Sequence, residues 1–304
     1  MSNEARKLLL VGDNPFHGIS HLSQERARSR NEGIGYPADK AADLVSTSLR
    51  CGADGFMFSV SDITLSILKI VQERRSARQL ELYAIVPYSF EYVRVATQTG
   101  TPGLAKRFAK QIVVSGDIVT IWQGLKAVVK MDPEGLVKTY LAYEISRIKS
   151  SAGKHAKLAS VLLHEVITDM SLALGFDWLF HSYVAYLSKM GITPGFHTRN
   201  FPYLVKKFEE WNIDLDKTMI TTPFNKAGFQ MNPTKEECEK TLSNLSSPIV
   251  IAISVLASGY FKPSTAVDYV AGLSNLKGVV AGVSNEQQAR ETFSLFKEHL
   301  KKWH

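Results

Sequence analysis

Short apolar runs alternate with longer amphipathic stretches along almost the whole chain. The runs are Leu8–Gly12, Gly55–Ser59, Leu82–Pro87, Ser160–His164, Thr193–His197, Thr218–Thr222, Pro248–Ser254 and Gly278–Val283. They are short and largely apolar, the pattern of strands buried on both faces of a parallel sheet. Between them, apolar positions recur at helical spacing in Ala38–Cys51, Thr64–Arg75, Asp177–Met190, Pro202–Trp211, Thr234–Leu245, Ser264–Leu273 and Asn285–Lys301. Thr234 with Glu237, and Ser284 with Gln287, read as capping boxes, and Gly191 after Met190 reads as a helix stop. Eight strands alternating with helices, with no repeat boundary, predict a single (β/α)8 TIM barrel over residues 1–304. A doubly wound sheet would want a glycine-rich first turn, and Gly12-Asp13-Asn14-Pro15 is not one.

Two connections are too long for plain loops. Asp13–Pro37 carries the segment Asn14-Pro15-Phe16-His17-Gly18, and Tyr88–Gly153 carries a helical pattern at Leu136–Ile148. The second predicts a helical insertion, residues 88–153, between strands three and four. Both follow strands, so both fall on the C-terminal face of the barrel, where barrel enzymes keep their active sites. Both are lid candidates. The apolar stripe Ile112, Val113, Val114, Ile118, Val119, Ile121 and Trp122 also makes the insertion a candidate surface for a homo-oligomer.

Composition narrows the setting. Of 304 residues, 45% are hydrophobic and 21% charged, as in an ordinary protein with a sizeable core. No apolar run is long enough to span a membrane, and Leu8–Val11 is too short for a signal peptide. Cys51 and Cys238 make neither a metal spacing nor a disulfide framework, so a cytoplasmic setting is expected. The 36 basic residues exceed the 29 acidic ones but form no stripe, which argues against a nucleic-acid partner and leaves room for an anionic small molecule.

The strand ends carry the candidate chemistry, because almost every apolar strand finishes in polar residues. Asp13, Asn14 and His17 follow strand one, and Ser59, Ser61 and Asp62 follow strand two. Tyr88 follows strand three, His164 and Glu165 close strand four, and His197, Thr198, Arg199 and Asn200 close strand five. Asn225 follows strand six, Ser258 and Gly259 follow strand seven, and Gly282, Val283, Ser284 and Asn285 close strand eight. Strand alternation places His164 inward, on the face of Ser160 and Leu162, and keeps Glu165 off that face unless a bulge intervenes. Catalytic candidates are His164, His197, Asp13 and Tyr88. Asn14, His17, Arg199, Asn200 and Asn225 are candidates for substrate binding, Arg199 because its fork suits a carboxylate or phosphate. The turn Gly282–Asn285 opens a helix and so presents backbone N–H groups to an anion, although Glu286 would repel it. His17, His164, Glu165 and His197 are the alternative set for a divalent metal.

From strand four onward the chain resembles the aldo/keto reductases. Val161-Leu162-Leu163-His164 looks like the family's strand-four segment, which ends in the histidine that orients the carbonyl. Gly191–Phe201 with Tyr203-Leu204-Val205, Thr222-Pro223-Phe224-Asn225 and Ile253–Gly259 look like its segments at strands five, six and seven. Gly282–Gln287 resembles its strand-eight phosphate-binding turn. The resemblance implies a reductase-like barrel with NADPH as cofactor, held by Ser258, Gly259 and Gly282–Asn285. It also shows departures. Strand two ends in Ser59 rather than Asp, no Tyr follows it, Pro87-Tyr88 stands where a Lys is expected, and Ile253 replaces the aromatic that stacks on nicotinamide.

Three functions are therefore expected in turn. The first is an enzyme of aldo/keto reductase-like fold acting on a small anionic or phosphate-bearing ligand, with NAD(P)H-linked oxidoreduction as its chemistry. The second is a metal-dependent lyase, isomerase or hydrolase, and the third is a non-catalytic binding protein.

Overall fold

A computed structural model describes residues 7–17, 37–74, 79–87, 132–245 and 248–300. Eight parallel strands close on one another in sequence order, with strand eight paired to strand one. They are β1 (Leu8–Gly12), β2 (Gly55–Ser59), β3 (Leu80–Val86), β4 (Ala156–Leu163), β5 (Thr193–His197), β6 (Met219–Pro223), β7 (Ile249–Ile253) and β8 (Leu276–Gly282). Outside them lie α1 (Ala38–Arg50), α2 (Asp62–Arg74), α3 (Pro133–Ala152), α4 (Glu165–Leu174), α5 (Asp177–Lys189), α6 (Phe201–Glu210), α7 (Lys235–Asn244), α8 (Pro263–Ala271) and α9 (Glu286–Leu300). The (β/α)8 barrel read from the alternation is the observed fold; β1, β2 and β5 have the bounds read from the sequence, and the ends of the other strands move by one to four residues. The short helix α4 did not stand out in the sequence pattern, because its solvent side is apolar too: Val166, Met170 and Leu174 are exposed.

Alternation along each strand divides the core in two. Leu9, Val11, Phe56, Phe58, Val161, Phe196 and Ile220 point outward into the layer between sheet and helices. Leu10, Met57, Tyr83, Ile85, Leu162, Met219, Ile251 and Val280 fill the barrel interior. Interior space is tight enough that small residues are required at some inward positions. A Cβ on Gly278 would lie 2.5 Å from the Leu8 carbonyl oxygen and 2.8 Å from Ile251 Cδ1.

One irregularity sets the phase of β4. Leu82 pairs with Leu158 but Tyr83 pairs with Ser160, so Ala159 is an extra residue. This bulge places Ser160 and Leu162 against Gly195 on the inner side and carries His164 to the inner rim, as expected.

Of the segment 88–153, residues 132–153 are described. They form the ring helix α3, which Asp132 caps by accepting from the Gly135 N–H at 3.1 Å, and which packs against α2 and α5. Residues 88–131, which include Tyr88 and the apolar stripe at 112–122, lie outside the described residues. Among the described residues no helix is long and apolar enough to cross a membrane.

The caps are partly as expected. Thr234 Oγ1 accepts from the Glu237 N–H at 3.1 Å. At α9 the box is one residue later than the sequence suggested. Asn285, not Ser284, is the cap, accepting from the Gln288 N–H at 2.9 Å, and Gln288 Oε1 reaches back to the Ser284 N–H at 3.0 Å. Gln287 instead donates to Glu291.

Gly278→Ala is expected to destabilise the protein by about 1–3 kcal/mol, because backbone rather than a flexible side chain meets the new methyl. A urea midpoint equal to that of the unaltered protein would contradict the packing described.

Candidate active site

Polar groups gather where the strands end. A cavity of about 790 Å³ opens at the C-terminal mouth of the barrel, within the ~300–1,000 Å³ usual for small-molecule sites. Its floor is Met57, Ile85, Ile253 and Val280, the top of the interior packing. Its walls include Gly12–Pro15, Ser59, His164, Glu165, His197, Arg199, Gln230, Ser258, Gly259 and Gly282–Ser284.

On one side stand His164, Glu165, His197 and Arg199. β4 ends at Leu163, and His164 caps α4 by accepting the Val166 N–H on Nδ1 at 3.2 Å. The proton of the neutral ring is therefore on Nε2. Burial lowers the pKa of His164, and the positive charge of Arg199 adds to the effect. Glu165 also reaches the cavity, contrary to the alternation rule, because it is already the first residue of a helix and not part of the strand. Its Oε1 accepts from Arg199 Nη2, and its Oε2 lies 3.1 Å from His197 Nε2. Burial would raise the Glu165 carboxyl, but the neighbouring His197 and Arg199 outweigh it and hold the group below its usual range.

The fourth group, His197, is largely enclosed, its side chain 14% exposed. Burial drops its pKa to about 4, so it is neutral at ordinary pH. The charge that keeps Glu165 ionised is then that of Arg199. Among the described residues both ring nitrogens of His197 are buried without a hydrogen-bond partner, since its approach to Glu165 is off the line of a hydrogen bond. Among the same residues Arg199 Nε is likewise buried and without an acceptor. Unpaired buried donors and acceptors of this kind are costly unless a ligand or water completes them.

The β5–α6 corner that presents Arg199 is held by a residue the sequence did not single out. Asp169, on α4, accepts from Thr198 Oγ1 and from the Arg199 N–H. Burial raises the Asp169 carboxyl despite these two donors.

Across the mouth, Asp13 is nearly buried. Its Oδ2 accepts from the Ser59 N–H at 2.7 Å and is 3.0 Å from His17 Nε2. Burial would lower the pKa of His17, but the Asp13 carboxylate outweighs it and raises the value. Among the described residues Asp13 Oδ1 accepts no hydrogen bond.

Other candidates are elsewhere. Asn225 is fully buried and closes its own loop, exchanging two 2.8 Å bonds with the Phe229 backbone. Asn200 caps α6 by accepting from the Tyr203 N–H at 3.3 Å. Neither lines the cavity, whereas Asn14 does. His17 pairs with Asp13 at β1 while His164, Glu165 and His197 sit at β4 and β5, so the four are not brought to one point. Among the described residues no group of three His, Cys, Asp or Glu is placed to hold a metal ion. Gln230, at φ 61°, lines the cavity and was not foreseen.

No family model matches the sequence, and no curated protein matches it. Solved structures do. A candidate aldo-keto reductase from Pseudomonas aeruginosa superposes with a TM-score of 0.57 at 11% identity, over 99% of this chain and 100% of the other. A second from the same organism gives 0.56 at 12% identity, over 96% and 90%. An aldo-keto reductase from a Medee basin deep-sea metagenome gives 0.50 at 9% identity, over 100% and 92%. The chain shares the (β/α)8 fold of these structures.

Within this reductase-like barrel, the groups at the mouth differ from those the resemblance implies. Asp62 is exposed on α2 and pairs with Arg147 at 2.6 Å, away from the cavity. The carboxylate over the end of β2 is Asp13, supplied by β1 and bound to the Ser59 backbone.

The fit of a nicotinamide nucleotide depends on the turn at β8. Gln288 already takes the Ser284 N–H, and Asn285 the Gln288 N–H. Arg290 is paired with Glu286 at 2.5 Å, and the Glu291 carboxylate lines the cavity. Two acids and a self-capped helix end do not fit a dinucleotide phosphate. The β7 loop beside it is held in left-handed backbone at Ser254 (φ 53°), Ala257 (φ 44°), Ser258 (φ 59°) and Gly259 (φ 87°). Three of these carry side chains that disfavour that region by roughly 1–2 kcal/mol each.

The depressed pKa of His197 has a consequence for stability. The unfolded chain takes up this proton near pH 6.5 and the folded one only near 4. The folded state therefore loses stability as pH falls from about 6.5 to about 4, by roughly 3 kcal/mol at ~1.4 kcal/mol per unit. Urea unfolding of His197→Gln is expected to lack this part of the acid destabilisation; an unchanged pH slope would contradict a buried neutral His197.

Proposed function

We propose that the protein is an enzyme acting on the carbonyl group of a small oxo or hydroxy compound at the C-terminal mouth of the barrel. The observation that carries this reading is the hydrogen bond from the Val166 N–H to His164 Nδ1. With Nδ1 occupied by a backbone N–H, the neutral ring can only donate from Nε2. A neutral donor in a low-dielectric pocket polarises a carbonyl oxygen without surrendering its proton. Arg199, whose Nε–H has no acceptor among the described residues, suits a carboxylate, phosphate or hydroxyl on the same molecule. Glu165 holds the guanidinium in place from the other side and partly offsets its charge.

The name of the fold relatives points to carbonyl reduction, and the shared fold supports an oxidoreductase as the broad class. Fold alone does not carry the reaction, and the turn at α9 offers a nucleotide phosphate little.

His164→Ala is expected to keep the melting temperature within a few degrees and to cut turnover about a hundredfold or more. Turnover within threefold of the unaltered enzyme would remove His164 from the chemistry. Thermal shift is the companion measurement. Dihydroxyacetone phosphate and pyruvate are expected to raise the melting temperature, and Arg199→Gln to weaken that binding about tenfold. NADPH is expected to give no rise. A clear rise with NADPH would instead favour nicotinamide-linked reduction.

A further inference from the structure

Resting on that carbonyl-binding reading, we propose a further activity of the same cavity: reversible proton transfer at the carbon beside the carbonyl, with Asp13 as the base and no redox partner. After β1 the segment Asn14-Pro15-Phe16-His17 folds into a short helical turn. It places His17 against Asp13 Oδ2, on which the Ser59 N–H also converges. Two donors on one oxygen fix the carboxylate plane and leave Oδ1 on a residue that lines the cavity. Glu165 is a poorer base, because one of its oxygens is bonded to Arg199 and the other lies beside His197. The donor for the carbonyl oxygen stands on β4 and the carboxylate on β1, so a bound hydroxy-carbonyl compound lies between them.

The step balances without a co-reactant. Asp13 Oδ1 takes the proton from the α-carbon, and the C–H electron pair becomes the carbon–carbon π bond. The carbonyl π pair moves onto oxygen, where His164 Nε2–H and Arg199 stabilise the enediolate. Return of the proton from the Asp13 carboxyl to the same carbon restores the substrate. Return to the neighbouring carbon, with the hydroxyl proton passing to the other oxygen, converts an aldose-type compound into its ketose. His17 is a positioning residue: it touches Asp13 and does not line the cavity.

The test is hydrogen exchange in D2O, with protein first dialysed against EDTA and no nucleotide added. Dihydroxyacetone, its phosphate, glyceraldehyde and glycolaldehyde serve as probes, and proton NMR follows loss of the α C–H signal. Exchange is expected at least tenfold above the buffer rate with one or more probes. Asp13→Asn, which keeps an acceptor for the Ser59 N–H, should return it to the buffer rate while leaving the thermal shift with the same probe. His17→Gln should lower the rate and alter its pH profile without changing the thermal shift. Buffer-rate exchange with all four probes, while any of them raises the melting temperature, would overturn the proton transfer and leave carbonyl binding standing. Full exchange in Asp13→Asn would overturn the role of Asp13. No thermal shift with any probe, together with buffer-rate exchange, would overturn both this inference and the reading it rests on.

Discussion

A closed barrel of eight parallel strands leaves polar groups very few places to go. The interior is filled by Leu10, Met57, Tyr83, Leu162, Met219 and Ile251, with Gly278 kept bare because a carbonyl oxygen occupies the space of its Cβ. The space outside the sheet is filled by the aromatic and aliphatic layer beneath the helices. Backbone hydrogen bonds are satisfied between strands. What remains is the rim, where each chain leaves the sheet and its side chains meet a cavity instead of a neighbour. Asp13, Ser59, His164 and His197 occupy that rim, and their chemistry follows from being largely buried at the edge of a cavity.

Enclosure governs the electrostatics there. Burial neutralises His197 and lowers His164, so the cavity presents two uncharged imidazoles at ordinary pH. Glu165 stays ionised against the same burial because Arg199 lies on it. The Asp13–His17 pair forms a second polar pole on the opposite side of the mouth. These groups sit on strands one, four and five, and the barrel closure fixes the spacing between them. Even the position of Arg199 depends on a neighbouring element, since Asp169 of α4 holds its backbone.

Relation to the aldo-keto reductase structures is one of architecture. The superpositions extend over nearly the whole chain at 9–12% identity, which is what a barrel determined by packing pattern allows. At the rim of this chain the carboxylate over the end of β2 is Asp13, from the end of β1, and Glu286 and Glu291 stand in the first turns after β8. A histidine, His164, stands at the end of β4 on the cavity.

The periodicity of apolar residues was enough to give the barrel, because strands buried on both faces and helices buried on one leave different repeats in the sequence. It also gave the rim, since polar residues closing apolar runs have little other use, and it placed His164 inward. Contacts between distant segments were not written there. Asn225 and Asn200 carry the same side chain as a ligand-binding residue, and only the surrounding backbone shows that they close a turn and cap a helix. The bulge at Ala159, the pairing of Asp13 with the Ser59 N–H, and the hold of Asp169 on Arg199 each join residues far apart in the chain. Glu165 shows the reason most directly. In the sequence it follows an inward residue and should face outward, but a strand that turns into a helix one residue earlier brings it to the cavity. Local pattern depends on near neighbours along the chain, while the geometry of a site depends on which distant backbone groups the closed barrel brings together.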